Sequence, residues 1–277
     1  MTVRADLGAG YASVKARPRW FTGWQALGNP ALSWLVPLMV LGLWWVSSTA
    51  AWISPQTLPE PGRVFETGVR MVDSGEAWQH LSISLQRVSM GFAVGAGAGL
   101  LLGMGMGLSR TVRELLYPSF RMLACVPLLG WLPLCILLLG IDELLKVVLI
   151  AKAAVIPVTL NTYQGVRAVP AQYLELARVY RFSPLQTVSR VMLPAAFPLI
   201  WSGLRYGLSH CWLVLVLVEL LASSEGLGYL MSNGQQLMQM DVLLVAASIV
   251  GAVGFALDRI LEACERYLLR WRPRGFA

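Results

Sequence analysis

The chain has 277 residues, of which 56% are hydrophobic and only 13% charged, with a mean hydropathy of +0.61 and a net charge of +7. Soluble domains carry about 25% charged residues, so this composition excludes a soluble enzyme and a disordered chain and implies an all-α integral membrane protein. Four cysteines, none in a C-x-x-C pair, and two histidines give no basis for a disulfide framework or a metal site.

Residues 1–30 read as a polar, basic tail with Arg4, Lys15, Arg17 and Arg19. The apolar run from Ala31 to Ile53 is 23 residues long. As a helix it would extend about 35 Å, enough to span a bilayer and too long for a signal peptide. It is read as an uncleaved first span. Leu58-Pro-Glu-Pro-Gly62 is a turn-rich linker. Beyond it, Phe65, Val69 and Val72 recur at helical spacing. They predict a short external helix whose apolar face lies on the membrane surface or against the bundle, or docks an external partner.

The second span, Ser89 to Leu108, carries Gly91, Gly95, Gly99, Gly103 and Gly107, each four residues apart. Glycines on one helix face let a neighbouring backbone approach closely, so this helix is expected at the centre of the bundle. A dinucleotide fingerprint would need a preceding strand, which is absent here. The third span, Leu115 to Gly140, contains Pro127 and Pro133. Proline frees backbone carbonyls that protein or water must satisfy, so these residues either line a path or mark packing kinks. The fourth, Leu144 to Tyr163, carries Lys146 and Lys152.

The stretch from Arg167 to Pro194 is polar and patterned as two short helices. The first is predicted from Ala171 to Tyr180. Ser183 reads as an N-cap with Pro184 at the first helical position, and the second helix is predicted to end before Leu193-Pro194. Such a pair is built to touch something or to lie on the membrane surface. The fifth span, Phe197 to Ala222, holds Glu219. An ionisable group inside a span is costly and is a functional candidate by default; an interhelical hydrogen bond is the other reading. Arg205 is about 21 Å from it along the helix axis and cannot pair with it. His210 falls on the opposite face and reads as a packed polar residue. The sixth span, Val242 to Leu261, ends in Asp258 and Arg259. The membrane domain is thus placed at 31–265, with a C-terminal tail at 266–277.

With six spans and an internal N-terminus, inner segments hold fifteen Lys and Arg and outer segments two, Arg63 and Arg70. This asymmetry is the positive-inside pattern and predicts both termini in the cytoplasm. Topology accounts for the basic balance, so no nucleic-acid partner is expected.

The 166–194 loop resembles the E-A-A loop of binding-protein-dependent ABC importers, whose pattern is E-A-A, three residues, G, nine residues, I-x-L-P. The matching positions are Glu175, Leu176 and Ala177, then Arg181, then Val191, Leu193 and Pro194. Leu176 and Val191 are mild departures. Arg181 is not, because the family's glycine stands at a turn where positive φ is easily tolerated. An arginine there implies strain or a different turn. His80-Leu-Ser-Ile-Ser-Leu-Gln-Arg-Val, Val126-Pro127 with Trp-Leu-Pro-Leu, Gly140-Ile-Asp-Glu143 and Glu219 followed by Ser-Glu-Gly-Leu-Gly are similar to the aliphatic sulfonate, taurine and nitrate permease branch.

That resemblance implies a type I ABC importer permease fold with about six transmembrane helices in a bacterial inner membrane. It implies two permease copies, as a homodimer, with two cytoplasmic ATPase subunits and a periplasmic or lipid-anchored binding protein. Glu175, Leu176, Ala177, Arg181, Leu193 and Pro194 would form the ATPase-coupling loop, and Pro127, Pro133 and Glu219 are pathway candidates. None of the three lysines follows a glycine, so the chain has no phosphate-binding P-loop. ATP and Mg are expected on the partner ATPase, and this chain is not expected to be an enzyme. The competing reading is an ion-coupled secondary transporter using Glu219 and the span lysines as a charge relay.

Overall fold

The computed structural model describes residues 35–50, 52–54 and 56–270, and every regular element among them is a helix. The chain divides into two compact units, Met1–Pro55 and Gln56–Ala277.

In the first unit, α1 (Leu35–Thr49) occupies the middle of the expected first span; residues 31–34 and 51 lie outside the described residues. Its last turn bonds to itself. Ser47, Ser48 and Thr49 donate their hydroxyls to the carbonyls of Leu43, Trp45 and Trp45 at 2.7, 3.0 and 2.8 Å. Hydroxyls satisfied in this way suit apolar surroundings.

The second unit contains α2 (Pro61–Asp73), α3 (Glu76–Leu108), α4 (Arg110–Cys125), α5 (Leu128–Leu139) and α6 (Glu143–Arg167). These are followed by α7 (Ala171–Val179), α8 (Pro184–Thr187), a π-helical turn (Val188–Met192), α9 (Leu193–Ala222), α10 (Leu227–Gln236) and α11 (Met240–Leu268). Among the described residues three helices are each long and apolar enough to cross a membrane: α3, the continuous rod Pro184–Ala222 and α11. The expected third span is not one rod. It is α4 and α5, bent by 95°. Pro127 offers no N–H and pushes Val126 into extended backbone (φ −76°, ψ 117°), which breaks the helix there.

At the centre, α3 packs on α6 through the glycine ladder. A Cβ on Gly91 would lie 2.5 Å from Ile150 Cγ2, one on Gly103 2.6 Å from Thr162 Cβ, and one on Gly107 2.7 Å from Val166 Cβ. On Gly95 it would strike the Ala151 carbonyl. The residues met on α6 also advance by about one turn, so the two helices run in the same direction with backbones in close contact. A second set of glycines, which the sequence reading passed over, joins α6 to α9. Gly203 accepts Asn161 and Gly207 accepts Val158 at 2.6 and 3.0 Å from the positions a Cβ would take.

The predicted short helix forms, and of the readings of its apolar row the one against the bundle does not hold. Val64, Thr67 and Met71 face inward, whereas Phe65, Val69 and Val72 are exposed. Polar contacts hold α2 to α11: Thr67 donates to Asp241 at 2.8 Å, and Arg63 lies 3.8 Å from the same carboxylate.

Candidate functional site

Two constructions stand out, one at each end of the helices. The first is the 167–194 segment. Helix α7 closes with left-handed backbone at Arg181, φ +50°. The Arg181 N–H donates to the Arg178 carbonyl at 2.9 Å and the Phe182 N–H to the Ala177 carbonyl at 3.0 Å. This paired closure satisfies two end carbonyls and normally places glycine in the left-handed position. The turn has therefore kept the geometry of a glycine turn, with an arginine held in it.

Ser183 then caps α8. Its hydroxyl accepts from the Gln186 N–H at 3.3 Å, and the Gln186 side-chain oxygen accepts from the Ser183 N–H at 2.9 Å. This is a complete capping box, with Pro184 at the first helical position. The predicted end before Leu193-Pro194 does not occur. A π-turn bridges directly into α9, with Leu193 N–H donating to the Val188 carbonyl. The wider turn accommodates Pro194, which lacks a donor, so the chain stays helical.

These ends set the side chains. Ala177 is buried, while Glu175 and Leu176 are exposed on α7. Leu193 packs on the core of Val166, Ala196 and Ile200, which ties the segment to the membrane helices. Between α7 and the start of α9 lies a groove of about 450 Å³, walled by Tyr173, Leu176, Tyr180, Phe182, Val191 and Pro194 among others.

The second construction is a buried polar lock at the opposite end. Arg87 on α3 is 4% exposed and Glu219 on α9 is 0% exposed. Arg87 Nη1 donates to Glu219 Oε1 at 2.8 Å and to the Glu225 carbonyl at 2.7 Å. Its other nitrogens grip both oxygens of Glu143 at 2.8 and 2.6 Å, and Lys146 Nζ lies 2.6 Å from Glu143 Oε1. Glu219 also accepts from Ser84 and from the Gly228 N–H at 2.9 and 3.0 Å. His80 Nδ1 and Ser84 Oγ accept the N–H groups of Gly226 and Leu227. His80, Ser84 and Arg87 thus form one stripe of α3 that binds the turn after α9. Gly226 is needed there: its φ is +107°, and a Cβ would enter the Glu219 carboxylate.

Of the pathway candidates, Pro127 lines a cavity of about 410 Å³ beside the α4–α5 break. Pro133 lies on the exposed side of α5. Glu219 belongs to the polar lock and does not line that cavity. Arg87 and Glu143 were not singled out by sequence reasoning, because their partners lie on other helices. Both stand at the edges of apolar runs, where a charge needs no partner by hydropathy alone, so the sequence carried no signal that they pair. As the axial spacing required, Arg205 pairs away from Glu219, with Asp258 and Glu265 of α11 at 2.9 and 3.0 Å.

Residues 95–270 match the family model described as binding-protein-dependent transport system inner membrane component. The chain belongs to that family. It is 40% identical over 240 residues to the permease protein SsuC of Escherichia coli, named for aliphatic sulfonates transport, covering 87% of this chain and 91% of that protein. It is 34% identical to the taurine transport system permease protein TauC of the same organism, covering 84% of this chain and 86% of that one. A solved structure of the inward-facing MetNI methionine ABC transporter aligns with a TM-score of 0.48 and 20% identity, covering 68% of this chain and 93% of that one. Membership makes this an ABC importer permease, a transport component and not an enzyme, and the long apolar helices agree with a multi-pass inner membrane protein. Gly95, Gly99, Gly103 and Gly107 of the ladder, and Glu143 and Glu219 of the lock, lie within the matched residues.

Proposed function

We propose that this permease forms the solute path of an importer and takes its drive from a separate cytoplasmic ATPase through the 166–194 loop. In this reading Glu175, Leu176 and Ala177 present the α7 surface, Arg181 sets the turn, and Leu193 and Pro194 carry displacement into α9. The observation that carries it is the build of the loop. It is a helix pair whose turn is closed from both sides, by the left-handed Arg181 and the Ser183 cap, exposed on α7 and rooted by Leu193 in the core. A rigid lever needs those three properties.

The solute is a small organic anion of the aliphatic sulfonate or taurine kind, or a related oxyanion such as nitrate. The names of the relatives at 40% and 34% identity support this. Two permease copies, as a homodimer, two ATPase subunits carrying ATP and Mg, and an external binding protein complete the assembly. Residues 1–30 and 266–277 are cytoplasmic tails on the 31–265 membrane domain.

The test is a mild-detergent pull-down of the tagged chain from its native membrane. An ATPase subunit is expected to co-purify, and Glu175→Lys is expected to lose it while still inserting into the membrane. Solute uptake by the chain alone, without ATP, would overturn the proposal in favour of an ion-coupled transporter.

A further inference from the structure

The cavity beside the α4–α5 break has a chemical character that the sequence did not reveal. Its wall on α6 carries Lys152 and Ile156 one turn apart and, beyond Pro157, Asn161 and Gln164. The wall on α9 is a second stripe, with Tyr206 and His210 one turn apart. His210 Nε2 and Tyr206 Oη are 3.1 Å apart. Pro127 and Val126 close the third side, where the helix break frees backbone.

Lys152 is the charged residue of this lining, and no carboxylate lines the cavity. Its Nζ touches the Val126 carbonyl at 3.4 Å and stands 4.9 Å from the centre of the Trp131 ring. Among the described residues it has no ion-pair partner, unlike Lys146 one face away, which is held by Glu143. An ammonium has three donors, and only one here has a protein acceptor. A cation kept in a membrane helix without a countercharge is costly and marks an ion or substrate path. The Tyr206–His210 pair keeps one donor beyond its mutual hydrogen bond, and Gln164 and the second amide proton of Asn161, whose nitrogen already donates to the Pro157 carbonyl, supply others.

The geometry points to a binding site for a small organic oxyanion in this cavity, with Lys152 as its countercharge and the hydrogen-bonded Tyr206–His210 pair supplying one further donor. The site rests on the importer reading above and deepens it, because it gives the transported anion a stopping place within the permease. The helix break at Pro127 makes the space, and Lys152 sets the sign of the charge that can occupy it.

The test reads the field inside the cavity without needing the natural solute. In full-length protein in its native membrane, Cys125, Cys135, Cys211 and Cys264 are replaced by alanine and Val214→Cys is introduced on the cavity wall. The thiol is labelled with methanethiosulfonate ethylsulfonate, itself a small sulfonate, and with its trimethylammonium counterpart. Relative to a free thiol, the anionic reagent is expected to be favoured by about tenfold or more, as for a cleft that focuses positive potential. Adding Lys152→Met should abolish that preference, Lys152→Arg should keep it, and millimolar ethanesulfonate should slow labelling only where the preference exists. Equal reaction with both reagents, a preference that survives Lys152→Met, or no labelling by either would each overturn the site. ATPase co-purification is followed in the same membranes. If it persists while the labelling preference is absent, the site fails and the importer reading stands. If it is absent while the preference is present, the importer reading fails alone.

Discussion

Arg87 on α3 and Glu219 on α9 meet at 2.8 Å with both side chains almost wholly enclosed, and Glu143 on α6 holds the other edge of the guanidinium. Three central helices therefore share one charge network at the end opposite the 166–194 loop.

Removing one partner leaves an uncompensated buried charge. Arg87→Met or Glu219→Leu alone is expected to destabilise the protein by about 3–5 kcal/mol. The combined Arg87→Met/Glu219→Leu protein should recover part of that loss, since an apolar pair carries no desolvation penalty. Thermal unfolding in detergent, arranged as a double-mutant cycle, measures the coupling. Additive losses would show that the pair does not act as a unit.

The ladder between α3 and α6 tolerates no side chain. Gly95→Val drives a Cβ into the Ala151 carbonyl, a backbone atom that cannot rotate away. Overpacking of this kind costs about 1–3 kcal/mol or more, and the variant should elute as aggregate in size-exclusion chromatography. Gly97→Ala faces open space on the same helix and should behave as wild type. Matching profiles for the two variants would count against the close packing.

Arg181 holds left-handed backbone that costs a non-glycine residue about 1–2 kcal/mol. Arg181→Gly removes this and adds freedom to the unfolded chain worth about 0.5–1 kcal/mol. A small net gain is expected, seen as slower hydrogen exchange at the residue 181 and Phe182 amides. Arg181→Val should exchange faster, because a branched side chain fits that backbone worst.

Ser183→Ala removes the hydroxyl half of the capping box and should cost about 1 kcal/mol locally. Tryptic cleavage at the neighbouring arginines should speed up, and Ser183→Asp should restore resistance by capping the same N–H. Identical cleavage rates in all three proteins would mean that the cap does not hold the turn.

Much of this architecture was legible along the chain because it depends on local periodicity. Five glycines four apart define a close-packing face whatever they meet. Ser183 with Pro184 announces a helix start by orphan N–H chemistry alone. The 166–194 loop was legible because its residues are near neighbours and its ends are backbone devices.

What lay across helices was not legible. Glu219 could be read as an ionisable group needing a partner, but the choice of Arg87 was made by the packing of α3 on α6 and α9. In the third span Pro127 and Pro133 could be read as kinks or breaks, but that Pro127 alone turns the chain, and by 95°, could not, since hydropathy carries no information about direction. The face that α2 turns to the bundle stayed open in the sequence for a related reason. The inward side is marked by Thr67, which bonds Asp241 of α11 across 174 residues of chain, a partner that helical spacing cannot announce. By itself the sequence determined the membrane class, the ladder and the loop, which follow from local backbone and hydropathic pattern. Only the tertiary structure decided which buried charges meet and where the cavity opens, because those depend on distances between segments far apart in the chain.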